Sequence, residues 1–267
     1  MKHLSTYKLF ELGAYDIADV NKYVQGMSKS LQDKLFFVDK VDTDLIIDFG
    51  CADGVIMSSI QTVSPTLDLI GYDLDDVMID RAKKNTNNKC LITDNWDEIM
   101  HIASDYDQPS ILLSSVIHEV YSYSNSKDIK LFWKRMFNPL IKNIIIRDMI
   151  PTNDYSKFNN IDINKIREKS DKDMLKDFED EWGSINNDFR TLLHWLLKYR
   201  YKENWERELK ENYLPLTIET LKSKIPSDWG IIYEDYYILN FLKQQIKKDF
   251  DIILNEPTHL KMIIERK

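Results

Sequence analysis

Cysteine, glycine and proline are scarce in this chain: two, seven and seven among 267 residues. The two cysteines, Cys51 and Cys90, exclude a disulfide-built scaffold, and at that spacing they do not make a zinc site. Long apolar runs are missing as well. None exceeds strand length, and the N-terminus turns polar within a few residues, so neither a membrane span nor a signal peptide is expected. A soluble, cytoplasmic protein is the expectation. Basic excess is the third absence. The formal net charge is −8, and the lysines are interleaved with acids, as between Lys165 and Asp180. That is the pattern of a solvated helix face. It argues against a general nucleic-acid binder, which carries a basic stripe, but leaves open a local patch for a nucleotide or a structured RNA. A chain of 267 residues, 43% of them hydrophobic, can bury one large α/β core with insertions or a small cap.

The few glycines are concentrated where they carry information. Leu45-Ile46-Ile47-Asp48-Phe49-Gly50-Cys51-Ala52-Asp53-Gly54 reads as a buried strand that meets a tight turn and opens into a helix. Glycine is needed where backbone turns sharply or a ligand comes close, because a Cβ would collide. Leu67-Asp68-Leu69-Ile70-Gly71-Tyr72-Asp73 is a second apolar run ending in an acid. A carboxylate there can accept hydrogen bonds from both hydroxyls of a ribose. The two signals together point to a nucleoside-containing cofactor. Dinucleotide sites use G-x-G-x-x-G to admit a pyrophosphate, and here Ala52 stands where the middle glycine would be. A cofactor without phosphate has no such requirement.

Acid-x-G-x-x-x-G, read with Asp73, resembles motifs I and II of the class I S-adenosylmethionine-dependent methyltransferases. Many members have a third glycine at the position of Ala52. Two further segments resemble the same family: Lys89–Trp96, a third strand ending in Asp94, and Ser110–Glu119, an apolar strand running into a polar loop with a histidine just beyond it. The resemblance covers about residues 44 to 150 and is specific for fold and cofactor rather than for the methyl acceptor. It implies S-adenosylmethionine (SAM) as cofactor. Asp48, Gly50, Cys51, Ala52 and Gly54 then line the turn. Asp73 with Leu74 faces the ribose, Asp94 with Asn95 the adenine, flanked by Trp96 or Ile92, and Ser114 and Ser115 touch the cofactor through backbone.

The implied fold is a doubly wound, Rossmann-like α/β sheet of seven strands in the order 3-2-1-4-5-7-6, with strand seven antiparallel beside strand five. Residues 1–43 have helical spacing (Leu9, Leu12, Ile17, Val20, Val24) and form an N-terminal helical cap, which either covers the cofactor or packs on the sheet edge. Tyr7, Tyr15 and Tyr23 are its candidates to reach the pocket. Residues 44–151 and 215–267 form the cofactor-binding core. Residues 152–214, long, charged, aromatic and helically spaced, form an insertion after strand five. Insertions there shape the acceptor site in the resembled family, and ligands of open α/β sheets bind beyond the carboxyl ends of the strands.

Methyl transfer from a sulfonium is an in-line displacement whose donor is already activated. The protein must align the acceptor and sometimes remove a proton. His118, just past strand four, is the candidate general base, with Glu119 either orienting it or facing solvent. Arg147 either holds an anionic acceptor or forms a surface pair with Asp148. The aromatic and basic residues of His194–Arg207 can stack a base and meet phosphate, although Trp195, Tyr199 and Trp205 at helical spacing fit packing better. His259 is read as structural. No Asn-Pro-Pro-Tyr-like tetrad follows strand four, which disfavours methylation of exocyclic base amines. No cysteine is placed to attack a pyrimidine ring, and no metal site is assigned. The reading is therefore a SAM-dependent methyltransferase acting on an oxygen or nitrogen of a small molecule, with RNA or a nucleotide as the alternative acceptor. A non-catalytic binding or regulatory subunit and a dinucleotide oxidoreductase are the readings of other classes.

Overall fold

A computed structural model of the protein describes residues 31–152 and 161–267. The expected N-terminal cap lies mostly in residues 1–30, outside the described residues, as do its three tyrosines. What is described of it is the short helix α1 (Leu31–Lys34).

Seven strands form one sheet in the order β3-β2-β1-β4-β5-β7-β6. The strands are β1 (Leu45–Phe49), β2 (Asp68–Tyr72), β3 (Leu91–Thr93), β4 (Pro109–Ser114), β5 (Asn143–Asp148), β6 (Trp229–Tyr237) and β7 (His259–Arg266). β1 to β5 are mutually parallel, and β7 runs antiparallel between β5 and β6. Every residue of β1, β4 and β5 is buried. Strands covered on both faces need no polar alternation, which is why they appear in the sequence as continuous apolar runs. β3 is shorter than its apolar run: Asp94 leaves the ladder and Asn95 turns to cap the next helix, accepting from the Glu98 amide at 3.3 Å.

Side chains alternate between two cores. Leu45, Ile47, Leu113, Ile144 and Ile146 pack against α4 (Trp96–Ala103), α5 (Ile117–Tyr123) and α6 (Ser126–Met136). Ile46, Leu112, Ile145 and Ile263 face Phe37, α2 (Val55–Val63) and α3 (Asp76–Asn85). Each such side chain, fully buried, contributes about 1.5–3 kcal/mol of transfer free energy. α5 differs from the polar loop expected after β4. Its apolar residues Ile117 and Val120 supply the burial that makes a helix of that segment.

Between β5 and β6 lie α7 (Ile163–Lys169), α8 (Lys172–Trp182), α9 (Phe189–Lys198), α10 (Trp205–Lys210) and α11 (Ile218–Lys222). Thr217 caps α11, its hydroxyl accepting from the Thr220 amide. α7, α8 and α9 share a separate apolar cluster with Met149, Tyr213, Leu214 and, from α12 (Asn240–Phe250), Leu242, Ile246 and Phe250. Trp195 is fully enclosed there and Tyr199 nearly so. Among the described residues, no helix is long and apolar enough to cross a membrane.

Candidate active site

The strand order reverses between β1 and β4, and the crevice above their carboxyl ends is where an open α/β sheet receives a ligand. β1 delivers its chain into this crevice through a tight turn. The Gly50 and Cys51 amides both donate to the Tyr72 carbonyl, and the Gly54 amide donates to Cys51. Gly50, Ala52 and Gly54 all have positive φ, at 76°, 46° and 73°. Two are glycines, which take this region freely. Ala52 does not, and its conformation is held by a hydrogen bond from its amide to Asp73 Oδ2 at 2.8 Å.

Asp73 therefore buttresses the turn from the end of β2. Its Oδ1 also accepts from the Leu74 and Asp75 amides at 2.8 and 3.0 Å. Burial raises its pKa, and the three amides oppose that rise. A carboxylate offers about four lone-pair sites, so one remains open on a group that cannot rotate away. Asp94 stands exposed past β3. Trp96 and Ile92, read as flanking an adenine, are both core residues: Trp96 packs edge-on to Phe49 and Tyr72, and Ile92 sits under Gly71. Cys51 is buried against Gly71 and its thiol pKa is pushed well up by burial.

The two turn glycines differ in what surrounds them. A Cβ on Gly54 would stand 2.9 Å from Ala82 Cα, the backbone of α3; one on Gly50 would meet a methyl of Val116 at 2.7 Å. Gly54→Ala is expected to cost about 2–4 kcal/mol in urea unfolding, from positive φ plus overpacking. The clash at Gly50 is with a side chain. Gly50→Ala and Val116→Ala should therefore couple by about 1 kcal/mol in a double-mutant cycle, and additive costs would refute this contact.

His118 stands in the first turn of α5 and is buried. Its Nδ1 lies 2.7 Å from Asp148 Oδ1 at the end of β5. The other carboxylate oxygen accepts from the Ile117 amide at 2.7 Å, and Oδ1 accepts also from the Met149 amide. Burial alone would depress His118. The Asp148 charge and hydrogen bond, with Glu119 and Glu211 nearby, outweigh it and hold His118 up to about 9. Asp148 is held below its ordinary value despite burial, by His118 and the amides.

No family model and no curated protein sequence matches this chain. Solved structures do. A SAM-dependent methyltransferase from Anabaena variabilis superposes with a TM-score of 0.52 at 13% identity, over 100% of this chain and 99% of its own. The plantazolicin methyltransferase BpumL, in complex with a pentazolic desmethylPZN analogue and SAH, gives 0.50 at 15% identity, over 97% and 96%. This chain has the class I methyltransferase fold.

In that fold, the partner of His118 is Asp148, on a different strand, rather than the adjacent Glu119. Arg147 and Asp148 do not form a surface pair. They point to opposite faces of β5 and are 4% and 1% exposed, because β5 is central and covered on both sides. Arg147 is fixed instead by Asp33, Tyr237 and Ser115. Ser115, at a positive φ of 61°, donates its amide to the Arg147 carbonyl, and its hydroxyl oxygen accepts from the guanidinium, so its amide and hydroxyl are engaged within the protein. His259 is buried and bonded to Thr258.

The insertion adds a cluster that no local pattern announces. Arg207 reaches Glu211 at 2.7 Å, Glu208 at 3.1 Å and Glu119 at 3.6 Å. Tyr123 donates to Glu211, Tyr213 to Glu208, and Lys198 to the carbonyls of Glu208 and Glu211. All but Tyr123 and Glu119 are buried. Tyr213 also sets its ring edge-on to His118, 5.6 Å between centroids. Glu119, half-buried between this cluster and His118, is raised to about 7 by burial and by Glu211, against the pull of Arg207 and His118. In sequence, Arg207 closes the aromatic and basic run His194–Arg207, and nothing local marks Glu208 and Glu211 as its partners. Only the packing of α9 and α10 buries them.

Proposed function

We propose that this chain is a SAM-dependent methyltransferase that moves a methyl group to an oxygen or nitrogen of a small-molecule acceptor. The observation that carries the reading is the buried His118–Asp148 pair at the carboxyl end of the sheet, across the crevice from a glycine turn braced by Asp73. The residues present fit the cofactor. Ala52 in place of a glycine suits a ligand without pyrophosphate. Asp73 keeps an acceptor site for a ribose hydroxyl, and Asp94 is free of the core to meet an amine. SAM supplies an activated methyl on a sulfonium. His118 takes the acceptor's proton, and Asp148 fixes its ring and stabilises the imidazolium. The net charge of −8 and the acids around His118 favour a small acceptor over a polyphosphate chain.

Calorimetry with SAM and S-adenosylhomocysteine (SAH), followed by methyl-labelled SAM and fractionated extract, tests this. Label in small molecules supports the reading, label in RNA replaces the acceptor class, and absence of binding to either ligand refutes the cofactor. Asp73→Ala removes the ribose acceptor and loosens the turn at Ala52. It should weaken SAH binding by about tenfold or more, and unchanged affinity would displace Asp73 from the site.

A further inference from the structure

Arg200 lies just past the end of α9 and is half-buried. Its Nη2 donates to the Tyr201 hydroxyl, and its Nε is buried with no hydrogen-bond partner among the described residues. No acidic side chain among the described residues pairs with it. Its charge is held over two rings instead, Tyr201 at 4.4 Å and Phe241, in the first turn of α12, at 5.1 Å. Such contacts return about 0.5–2 kcal/mol and leave the Nε–H unanswered. A guanidinium keeps its charge at any working pH, and enclosing it without an anion is costly. Other cations around the crevice have their acids: His118 has Asp148, and Arg147 and Lys261 share Asp33.

Arg200 stands two rings from the candidate base. Tyr201 is edge-on to Tyr213, 6.2 Å between centroids, and Tyr213 is edge-on to His118. His259 opens β7 opposite Tyr237, whose ring lies 5.6 Å from its own. It is within reach of both charges: burial first, then Arg147, Arg200, His118 and Lys261, push its pKa well down. The side chains between guanidinium and base are thus flat and aromatic, and the imidazole among them is neutral. Glu208 and Glu211, which also act on Tyr201, are already bonded to Arg207.

We propose that Arg200 anchors a carboxylate on the methyl acceptor, so that the acceptor is a small planar acid whose nucleophilic oxygen or nitrogen lies at His118. A carboxylate meets the Nε–H and a terminal N–H together, as a fork. One unanswered cation matches one negative charge. A phosphate dianion would exceed it, with Glu208 and Glu211 close by to repel the excess. A cationic acceptor would meet Arg200 and protonated His118 at once. The carboxylate is held alike before and during transfer, so Arg200 acts on acceptor binding rather than on the chemical step. The role of the bound acid as acceptor rests on the proposed reaction, whereas the anion site does not.

The test is calorimetry with benzoate and benzamide, a planar acid and its neutral isostere, on the full chain alone and saturated with SAH. Benzoate should bind the wild-type protein about tenfold or more tightly than benzamide in both states, the usual worth of a charge-assisted contact. This comparison requires no variant to fold. Arg200→Gln should bring benzoate down to the affinity of benzamide and leave benzamide and SAH unchanged, and Arg200→Lys should restore part of the preference. Wild-type protein that binds both probes alike, or neither, overturns the anchor. A preference that survives Arg200→Gln puts the anion elsewhere and overturns it as well. Equal weakening of both probes in Arg200→Gln would mean that Arg200 only braces the rings. A chain that prefers benzoate through Arg200 yet binds no SAH keeps the anion site and fails the proposed reaction, and the acceptor role with it. Passing the extract over an anion exchanger before addition of methyl-labelled SAM should cut small-molecule labelling about tenfold or more, and undiminished labelling would overturn the acceptor role.

Discussion

Replacing His118 with glutamine is expected to slow methyl transfer by about 100- to 10,000-fold, the range of a positioned general base, with little change in SAH affinity. Glutamine keeps a polar group of similar reach beside Asp148 but cannot accept a proton. At rest His118, held up to about 9, is an imidazolium at neutral pH. A base must first be free. Asp148, with Glu119 and Glu211 nearby, holds that proton against burial, so the neutral ring is reached only as pH rises toward 9. Single-turnover transfer should therefore rise with pH through a transition near 9, and His118→Gln should abolish that transition. A pH profile in the variant that matches wild type would remove His118 from proton handling, whatever the size of the rate loss.

The strands were legible because burial on both faces leaves a signature that needs no context. Leu45–Phe49, Pro109–Ser114 and Asn143–Asp148 are apolar runs in sequence and fully buried strands in the structure. The antiparallel insertion of β7 came from resemblance, since no local feature distinguishes an antiparallel strand from a parallel one. β3 is shorter than the run suggests because Asp94 bends out of the ladder and Asn95 caps the next helix. The site was legible only where it is local. The turn at Gly50–Gly54 is five residues of consecutive signal. The His118–Asp148 contact joins residues thirty apart in the chain, and adjacency pointed to Glu119 instead. Arg147 illustrates the same limit from the other side: an Arg-Asp pair at a strand end resembles a surface feature until the neighbouring strands and α1 enclose it. Lys198 and Arg207 stand in a run whose sequence suggests stacking and phosphate contact, and the packing of α9 and α10 instead buries them against Glu208 and Glu211.

Asp148→Ala is expected to cost about 3–5 kcal/mol of stability near pH 6.5, because it strands a buried charge. Three backbone amides, of Ile117, His118 and Met149, lose their acceptor in the same step. The pH dependence separates these contributions. His118 binds its proton more tightly folded, at about 9, than at its ordinary value of 6.5. Its stabilisation, about 3 kcal/mol, is therefore fully present below pH 6.5 and is lost as pH rises through 9. Asp148 is shifted the other way. Its share is present above pH 3.8 and is lost as pH falls through its depressed folded value. Between those limits the pair acts as one interaction, counted once. At pH 10 His118 is neutral in wild type and variant alike, so the penalty of Asp148→Ala should shrink to the hydrogen bonds lost by the amides and the neutral ring, about 1–3 kcal/mol. Urea unfolding of both proteins at the two pH values measures the difference directly. A penalty of equal size at pH 6.5 and pH 10 would mean that His118 is not charged in the fold, and that the base at this site starts out neutral.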